Sequence, residues 1–409
     1  MKKRQIIFSS FLGNTLEFYD FTLYGAFAII IGQTFFPSTD PFSSLLQSLG
    51  VFASGFLMRP FGAAFFGAIG DKLGRKRALQ LSILCIGLPT LLIAVMPSYE
   101  AIGWIAPALV IFCRLLQGLC TGGEYNGAAI FALEHVGKNN PGLVGGLITA
   151  SCGVGALLAM AMGVLVHQPG SPTWAWRIPF FLGTFACLWG FHIRAKLEES
   201  PVFQKMQAKN EVVKTPLLHA LTHHKKASLV TFLFGAADGG LAYLVFVFLS
   251  VFLETQRGFS PSFAHGITLV SILTFTLFAP TAGYLFDKDT KKRFLKYISL
   301  ATLFLSVPGF YLLQYGNLFG ITIALLLFAI FAAGITGPLH AFLQKLFPTQ
   351  DRYSGISFCF SVGISVGGLT PYILTVLFEH FHSYLPLGLY TASWGIICYY
   401  AIYKASQKG

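Results

Sequence analysis

Twelve apolar stretches, spread along nearly the whole chain, constrain this sequence more than any motif in it. A helix needs about 20 consecutive apolar residues to cross a bilayer. By that ruler the spans run over 7–34, 43–69, 78–97, 103–132, 143–167, 175–194, 227–254, 263–286, 294–313, 317–345, 354–379 and 384–403. Charged residues fill only 11% of the 409 positions, where a soluble domain carries about 25%. So few charges cannot cover a soluble protein of this size. A water-soluble enzyme, a nucleic-acid-binding domain and a disordered chain are therefore excluded, although the net charge is +12. An all-α membrane protein with the lipid bilayer as solvent is expected.

The longest polar interval, 196–226, holds Lys196, Glu198, Glu199, Lys205, Lys209, Glu211, Lys214, Lys225 and Lys226. It predicts a six-helix bundle over 1–195, a linker over 196–226 and a second six-helix bundle over 227–409. Taking span ends alternately, one side collects Lys2, Lys3, Arg4, Lys72, Arg75, Lys76, Arg77, Lys138, the 194–226 segment, Lys288 to Lys296, Lys345, Arg352, Lys404 and Lys408. The other side holds only Arg257 and Arg177. The positive-inside rule makes the first side cytoplasmic, with both termini there. The basic start followed by an apolar run is read as a retained first span, because Glu17 and Asp20 interrupt any cleavable signal.

An internal repeat supports two halves. Gly67-Ala-Ile-Gly-Asp71-Lys72-Leu-Gly74-Arg75-Lys76-Arg77 returns, weakened, as Gly283-Tyr-Leu-Phe-Asp287-Lys288-Asp-Thr290-Lys291-Lys292-Arg293, at a constant offset of 216 residues. Parallel six-span repeats are an architecture of secondary transporters. The seven cysteines all lie in apolar stretches and none forms a C-x-x-C pair, so they read as small core side chains.

The motif between spans two and three, with its degenerate copy between eight and nine, resembles the signature of the major facilitator superfamily. Arg114-Leu-Leu-Gln117-Gly118 with Gly122 resembles that superfamily's span-four motif. Within it, one subgroup is similar, the metabolite:proton symporters, which include transporters of proline and betaine, α-ketoglutarate, citrate and shikimate. The residues carrying this are Gly13-Asn14-Thr15-Leu16-Glu17-Phe18-Tyr19-Asp20-Phe21, Arg59-Pro60-Phe61-Gly62, Gly123-Glu124-Tyr125-Asn126-Gly127, Trp176-Arg177-Ile178-Pro179-Phe180, Glu199-Ser200-Pro201, and Phe347-Pro348 with Arg352-Tyr353-Ser354-Gly355. The resemblance implies twelve transmembrane helices in two six-helix bundles, in a bacterial inner membrane. It also implies a cytoplasmic gate at Gly67, Asp71, Gly74, Arg75, Lys76 and Asp287, to which Glu124 is added from its depth. The same basic cluster also fits a plain topology signal.

Charges inside a bilayer cost about 2.5–3.5 kcal/mol each on insertion scales and so face the bundle interior. Glu17, Asp20, Arg59, Arg114, Glu124 and Asp238 stand within spans. At 1.5 Å per residue Glu17 and Arg59 lie about 18 Å deep; with Arg114 and Asp238 they meet near the midplane, where such transporters bind substrate. Glu17 and Asp20 share one helix face. Two carboxylates this close in low dielectric do not both keep a full charge. Proton coupling is one reading of the pair, and a structural salt bridge to Arg59 or Arg114 is the other. The proton-coupling candidates are Glu17, Asp20, Arg114 and Asp238. The substrate-binding candidates are Arg59, Arg114, Glu17, Asp238, Tyr24 and Tyr125; Phe18 and Tyr19 flank them, and these aromatics read either as a cation–π cage or as core and lipid-facing filling. Glycines Gly145, Gly146, Gly153, Gly155 and Gly163 of span five, and Gly363, Gly367 and Gly368 of span eleven, are expected to serve close helix packing.

The expected function is proton-coupled symport of a small organic acid or zwitterion by alternating access. Export of drugs or metabolites on the same fold, and a non-transporting receptor, are the alternatives. No enzyme is expected, since the chain has no H-E-x-x-H, no G-x-S-x-G and no metal-spaced cluster. His223-His224 reads as solvated linker, and His380 and His382 as outer rim. No cofactor or metal is expected, the proton gradient being the energy source. The expected partners are a small-molecule substrate, protons and lipid, with no nucleic acid and a monomeric chain.

Overall fold

The structure is a computed structural model describing residues 3–136, 140–196, 198–208, 216–289 and 293–407. Lys2, Lys138, Lys209, Glu211, Lys214, Thr290, Lys291, Lys292 and Lys408 lie outside the described residues. Helices account for every regular element described. The first span is Lys3–Ala26 continued by Ala28–Phe35, followed by Pro41–Lys72, Arg75–Val95, and Ile105–Thr121 with Glu124–Val136. The fifth is Pro141–Val166 and the sixth Ala175–Arg177 with Ile178–Ala195. The linker holds two short helices, Pro201–Ala208 and Pro216–His223. The seventh span runs as Lys225–Tyr243, Leu244–Phe248 and Leu249–Arg257. Pro261–Lys288, Arg293–Tyr315, Leu318–Thr336 with Leu339–Leu343, Arg352–Gly367 with Thr370–Phe381, and Tyr384–Ser406 complete the twelve. Eleven are long and apolar enough to cross a membrane; the first falls short because Asn14, Thr15, Glu17 and Asp20 dilute its hydropathy.

Lys72, Arg75, Lys225 and Ser406 share one end of the molecule, called here the basic face. At the opposite face four of the six new spans, the second, eighth, tenth and twelfth, start on a capping side chain. Asp40 accepts from the Phe42 and Ser43 amides, Ser260 from Phe263, Asn317 from Gly320 and Ser383 from Leu385. The Ser43 hydroxyl and these amides hold the exposed Asp40 carboxyl below its ordinary pKa. Arg177 and Arg257, the exceptions to the charge asymmetry, also serve helix ends. Arg177 donates to the Ala94 and Met96 carbonyls after span three (2.9 and 2.6 Å), and Arg257 to Gln314 and Gly316 after span nine.

Large apolar side chains such as Leu57, Phe61, Phe65, Phe112, Phe185 and Leu277 point outward, as lipid-facing surface must. Inside, backbones approach closely where side chains are absent. A Cβ on Gly62, Gly118 or Gly122 would overlap the backbone of the partner span, at Leu119, Gly55 and Arg59 respectively, so spans two and four touch main chain to main chain. The glycines of span five serve both sides: Gly155 lies on Thr15 and Tyr19 of span one, while Gly146, Gly153 and Gly163 lie on Ala279, Thr276 and His265 of span eight. Gly363 and Gly367 meet Phe232 and Ala236 of span seven. The two bundles face each other through spans two and eleven, five and eight, and one and seven.

Candidate functional site

The Gly13–Phe21 segment of span one is the hub of its bundle. Glu17 Oε1 accepts from Arg59 Nη2 of span two (3.3 Å). Asp20 accepts from Thr90 Oγ1 of span three (2.5 Å) and Gln117 Nε2 of span four (2.7 Å). Asn14 Nδ2 donates to the Ile148 carbonyl and Ser151 Oγ of span five (3.1 and 2.8 Å). Tyr19 donates to the Pro179 carbonyl of span six (2.7 Å). Gly13 leaves the space that the Arg194 guanidinium of span six occupies, since a Cβ would coincide with it. Nine residues thus reach all five other spans of the bundle.

The two carboxylates therefore part company despite sharing a helix face. Glu17 pairs directly with Arg59, whereas Asp20 reaches Arg114 only through Gln117, whose Oε1 accepts from Arg114 Nη1 (2.8 Å). Both guanidiniums sit over Phe21, Arg59 at 4.5 Å and Arg114 at 4.4 Å from its centroid; Arg114 also lies over Tyr24 (4.5 Å) and Phe52 (5.4 Å). Across the bundle interface, the buried Asp238 of span seven has no hydrogen bond or ion pair among the described residues. Tyr243, one helical turn and a residue further on, stacks edge-on to Phe52 and Phe56 (5.7 and 4.7 Å). Six buried polar atoms of this layer lack a partner among the described residues: Glu17 Oε2, Arg59 Nε, Arg114 Nε and Nη2, and the Tyr24 and Tyr243 hydroxyls.

The aromatic cage is split. Tyr24 belongs to the Arg114 group, Tyr19 turns away to span six, and Phe18 packs on Tyr125 (5.4 Å) and on Phe246 of span seven (6.4 Å). Tyr125 meets the His340 ring of span ten at 4.5 Å and lies 3.4 Å from Thr149 Oγ1. It is a bundle-to-bundle contact outside the arginine layer.

Glu124 is placed differently from the gate expected for it. Its carboxylate is buried inside the first bundle, ion-paired with Arg194, whose Nη1 donates 2.8 Å to Oε2, and accepting from Ser82 Oγ at 2.5 Å. All three partners belong to spans three, four and six. Arg194 also donates to the Leu79 carbonyl (2.6 Å). Sequence reasoning missed Arg194, Thr90 and Gln117. Gln117 stood inside a quoted motif, whereas Arg194 was hidden by its place beside the polar linker.

At the basic face the two copies of the repeated motif do the same job. Asp71 Oδ2 accepts from the Ser354 amide (3.0 Å) and hydroxyl (2.6 Å) in the first turn of span eleven. Asp287 accepts from the Gly142 and Leu143 amides (2.8 and 2.9 Å) in the first turn of span five. Each aspartate caps the N-terminus of a span in the opposite bundle, where free amides and the helix dipole favour negative charge. Arg75 lies 3.0 Å from Asp71 and donates to the Gly70 carbonyl (2.6 Å). Gly67 lies against Ser354, and Gly74, at φ +111°, against the Glu199 carboxylate of the linker. Glu199 in turn accepts from the Arg75 and Lys76 amides. Tyr353 donates to the Gly123 carbonyl (3.1 Å). This face is sealed.

The chain matches the Major Facilitator Superfamily over residues 10–397. It belongs to that family. Relatives include the glycine betaine/proline/ectoine/pipecolic acid transporter OusA of Dickeya dadantii (strain 3937), 34% identical over 391 residues, with 92% of this chain and 78% of that protein covered. The proline/betaine transporter of Escherichia coli (strain K12) is 32% identical over 394 residues with the same coverage. The shikimate transporter of that strain is 30% identical, with 93% and 89% covered. The structure of the proton:xylose symporter XylE bound to 6-bromo-6-deoxy-D-glucose superposes with a TM-score of 0.81 over 98% of this chain and 95% of that one, at 15% identity, which shows the shared fold. This member of the Major Facilitator Superfamily is a multi-pass membrane transporter and not an enzyme.

Proposed function

We propose that this transporter moves a small zwitterion, of the proline or betaine kind, together with a proton, and that its basic face is cytoplasmic. The observation that carries the reading is the set of unpartnered buried polar atoms on Glu17, Tyr24, Arg59, Arg114 and Tyr243. Buried donors and acceptors call for partners, and a polar solute supplies them. Arg114 keeps two N–H-bearing nitrogens free for a carboxylate, with Tyr24, Phe52 and Phe21 as apolar walls. Arg59 is already engaged by Glu17. One free guanidinium favours a monocarboxylate over the dicarboxylates and tricarboxylates that two would suit.

Charge balance points the same way. Arg194 neutralises Glu124, so the central layer holds Glu17, Asp20 and Asp238 against Arg59 and Arg114. The surplus negative charge is met by a proton or by the cationic end of a zwitterion. Names of relatives, proline/betaine transporters among them, support the same substrate class. The test is uptake of labelled proline, betaine, citrate and shikimate into proteoliposomes, with and without an imposed proton gradient. Gradient-driven accumulation of a zwitterion is expected. Indifference to the gradient for every solute would overturn the coupling, and preference for citrate would overturn the substrate class.

A further inference from the structure

Away from the arginine layer, three side chains with no part in the proposed transport meet beside the linker. His219 sits on the linker helix Pro216–His223, His224 at the cap of span seven, and Asp351 at the cap of span eleven. His219 Nδ1 lies 2.7 Å from Asp351 Oδ2, and His224 Nε2 lies 3.5 Å from the same oxygen. One nitrogen from each histidine and a carboxylate oxygen all fall within 4.8 Å of one another. The Asp351 side chain is fully buried, its Oδ1 has no partner among the described residues, and neither has the buried His224 Nε2.

We propose that His219, His224 and Asp351 form a binding site for a zinc-class divalent transition metal, with its fourth position open. Ligands about 2.0–2.2 Å from a tetrahedral zinc stand about 3.3–3.5 Å apart; the 3.5 Å His224–Asp351 spacing matches, and the 2.7 Å His219–Asp351 contact opens slightly to admit the ion. Two imidazoles and one carboxylate suit zinc, cobalt or nickel, whereas calcium and magnesium want more oxygens. A cavity of about 310 Å³, lined by Lys225, Lys226 and Lys345 among others, opens beside His224. Its lysines further disfavour a cation held by charge alone and leave metals that bind imidazole covalently enough to tolerate them. No spacing in the sequence announces the set, because Asp351 is 132 residues from His219.

The linker helix lies against span two of the first bundle and span eleven of the second, with Ala220 pressed on Gly355. A metal held by the linker, span seven and span eleven therefore fastens the strap that crosses the sealed basic face. Its binding slows opening of that face.

The test uses the purified full-length transporter with any affinity tag removed. Titration with Co²⁺ should give one equivalent of a visible absorption band typical of tetrahedral nitrogen–oxygen ligation, displaced by Zn²⁺ and unmoved by excess Mg²⁺. His219→Ala and His224→Ala should each weaken Co²⁺ binding by about tenfold or more, while His223→Ala leaves it unchanged. Both variants alter half-exposed residues, so their metal-free unfolding temperatures should match the parent, which separates ligand loss from misfolding. Absence of the band, or equal affinity in the His219→Ala and His224→Ala variants, would overturn the site. Metal binding with unaltered uptake rates would overturn the strap.

Discussion

Arg194 stands one residue before the end of the sixth span, where a long cationic side chain ordinarily reaches water. Instead it is buried, filling the space beside Gly13 and pairing with Glu124. Removing one partner of such a pair leaves an uncompensated buried charge and costs about 3–5 kcal/mol, whereas replacing both by apolar or neutral groups is often neutral. Arg194→Ala is therefore expected to lower the unfolding temperature in detergent sharply. The double variant Arg194→Met/Glu124→Gln should recover most of the loss. A parent-like melting temperature for the single variant would refute the clamp. At this scale the sequence was informative in one direction. Glu17, Asp20, Arg59, Arg114 and Asp238 were legible because a charge in the middle of an apolar run has nowhere to go but inward. Their partners were not, since Thr90 and Gln117 are unremarkable in composition and Arg194 looked like the start of the linker.

Elements obey the repeat more closely than single residues do. The offset of 216 residues carries Phe27, where the first span breaks, onto Tyr243, after which the seventh span takes a π-helical turn over Leu244–Phe248. Both central spans thus depart from regular α-helix at one level: Phe27 sits at φ −102° and ψ 15° while its bonds to Leu23 and Ile31 persist, and the seventh span widens into the π turn. Irregular turns of this kind cluster at functional positions. Gly25 meets Val247 there, and a Cβ on Gly25 would come within 2.6 Å of a Val247 methyl. Beyond that contact a cavity of about 220 Å³ opens between Phe27, Ile30, Gln33, His167 and Glu254. The Gly25–Val247 contact reads as the seal between the layer and the opposite face. Gly25→Val should hold this seal open, so transport turnover falls by about tenfold, a change of about 1.4 kcal/mol, while equilibrium binding of the substrate survives. Simultaneous loss of binding would show instead that Gly25 shapes the site itself. Neither break was readable beforehand, because a π turn leaves no mark on hydropathy. The spans themselves were, to within a few residues, because their lengths are set by the membrane.

The whole molecule is a pair of bundles joined at the basic face by reciprocal helix caps. Hydropathy and the repeated motif made the twelve spans and the two halves legible. The closure was not, since its bonds join residues 283 positions apart at Asp71–Ser354 and 145 apart at Asp287–Gly142. What the repeat did show was two aspartates in equivalent places, and the structure gives each the same task of capping a helix across the bundle boundary. Such a cap contributes about 1 kcal/mol, so losing both shifts the balance of states by about 2 kcal/mol, roughly thirtyfold. The double variant Asp71→Ala/Asp287→Ala should therefore populate a form open at the basic face without substrate. Spin labels on Lys72→Cys and Lys345→Cys, in a background lacking the exposed Cys85, would report longer distances for it than for the parent. A second pair across the opposite face, at Gln33→Cys and Gln256→Cys, should shorten in the same variant, because rocking that opens one face closes the other. Lengthening at the basic face with no change opposite would mean local fraying of spans two and eight in place of alternating access.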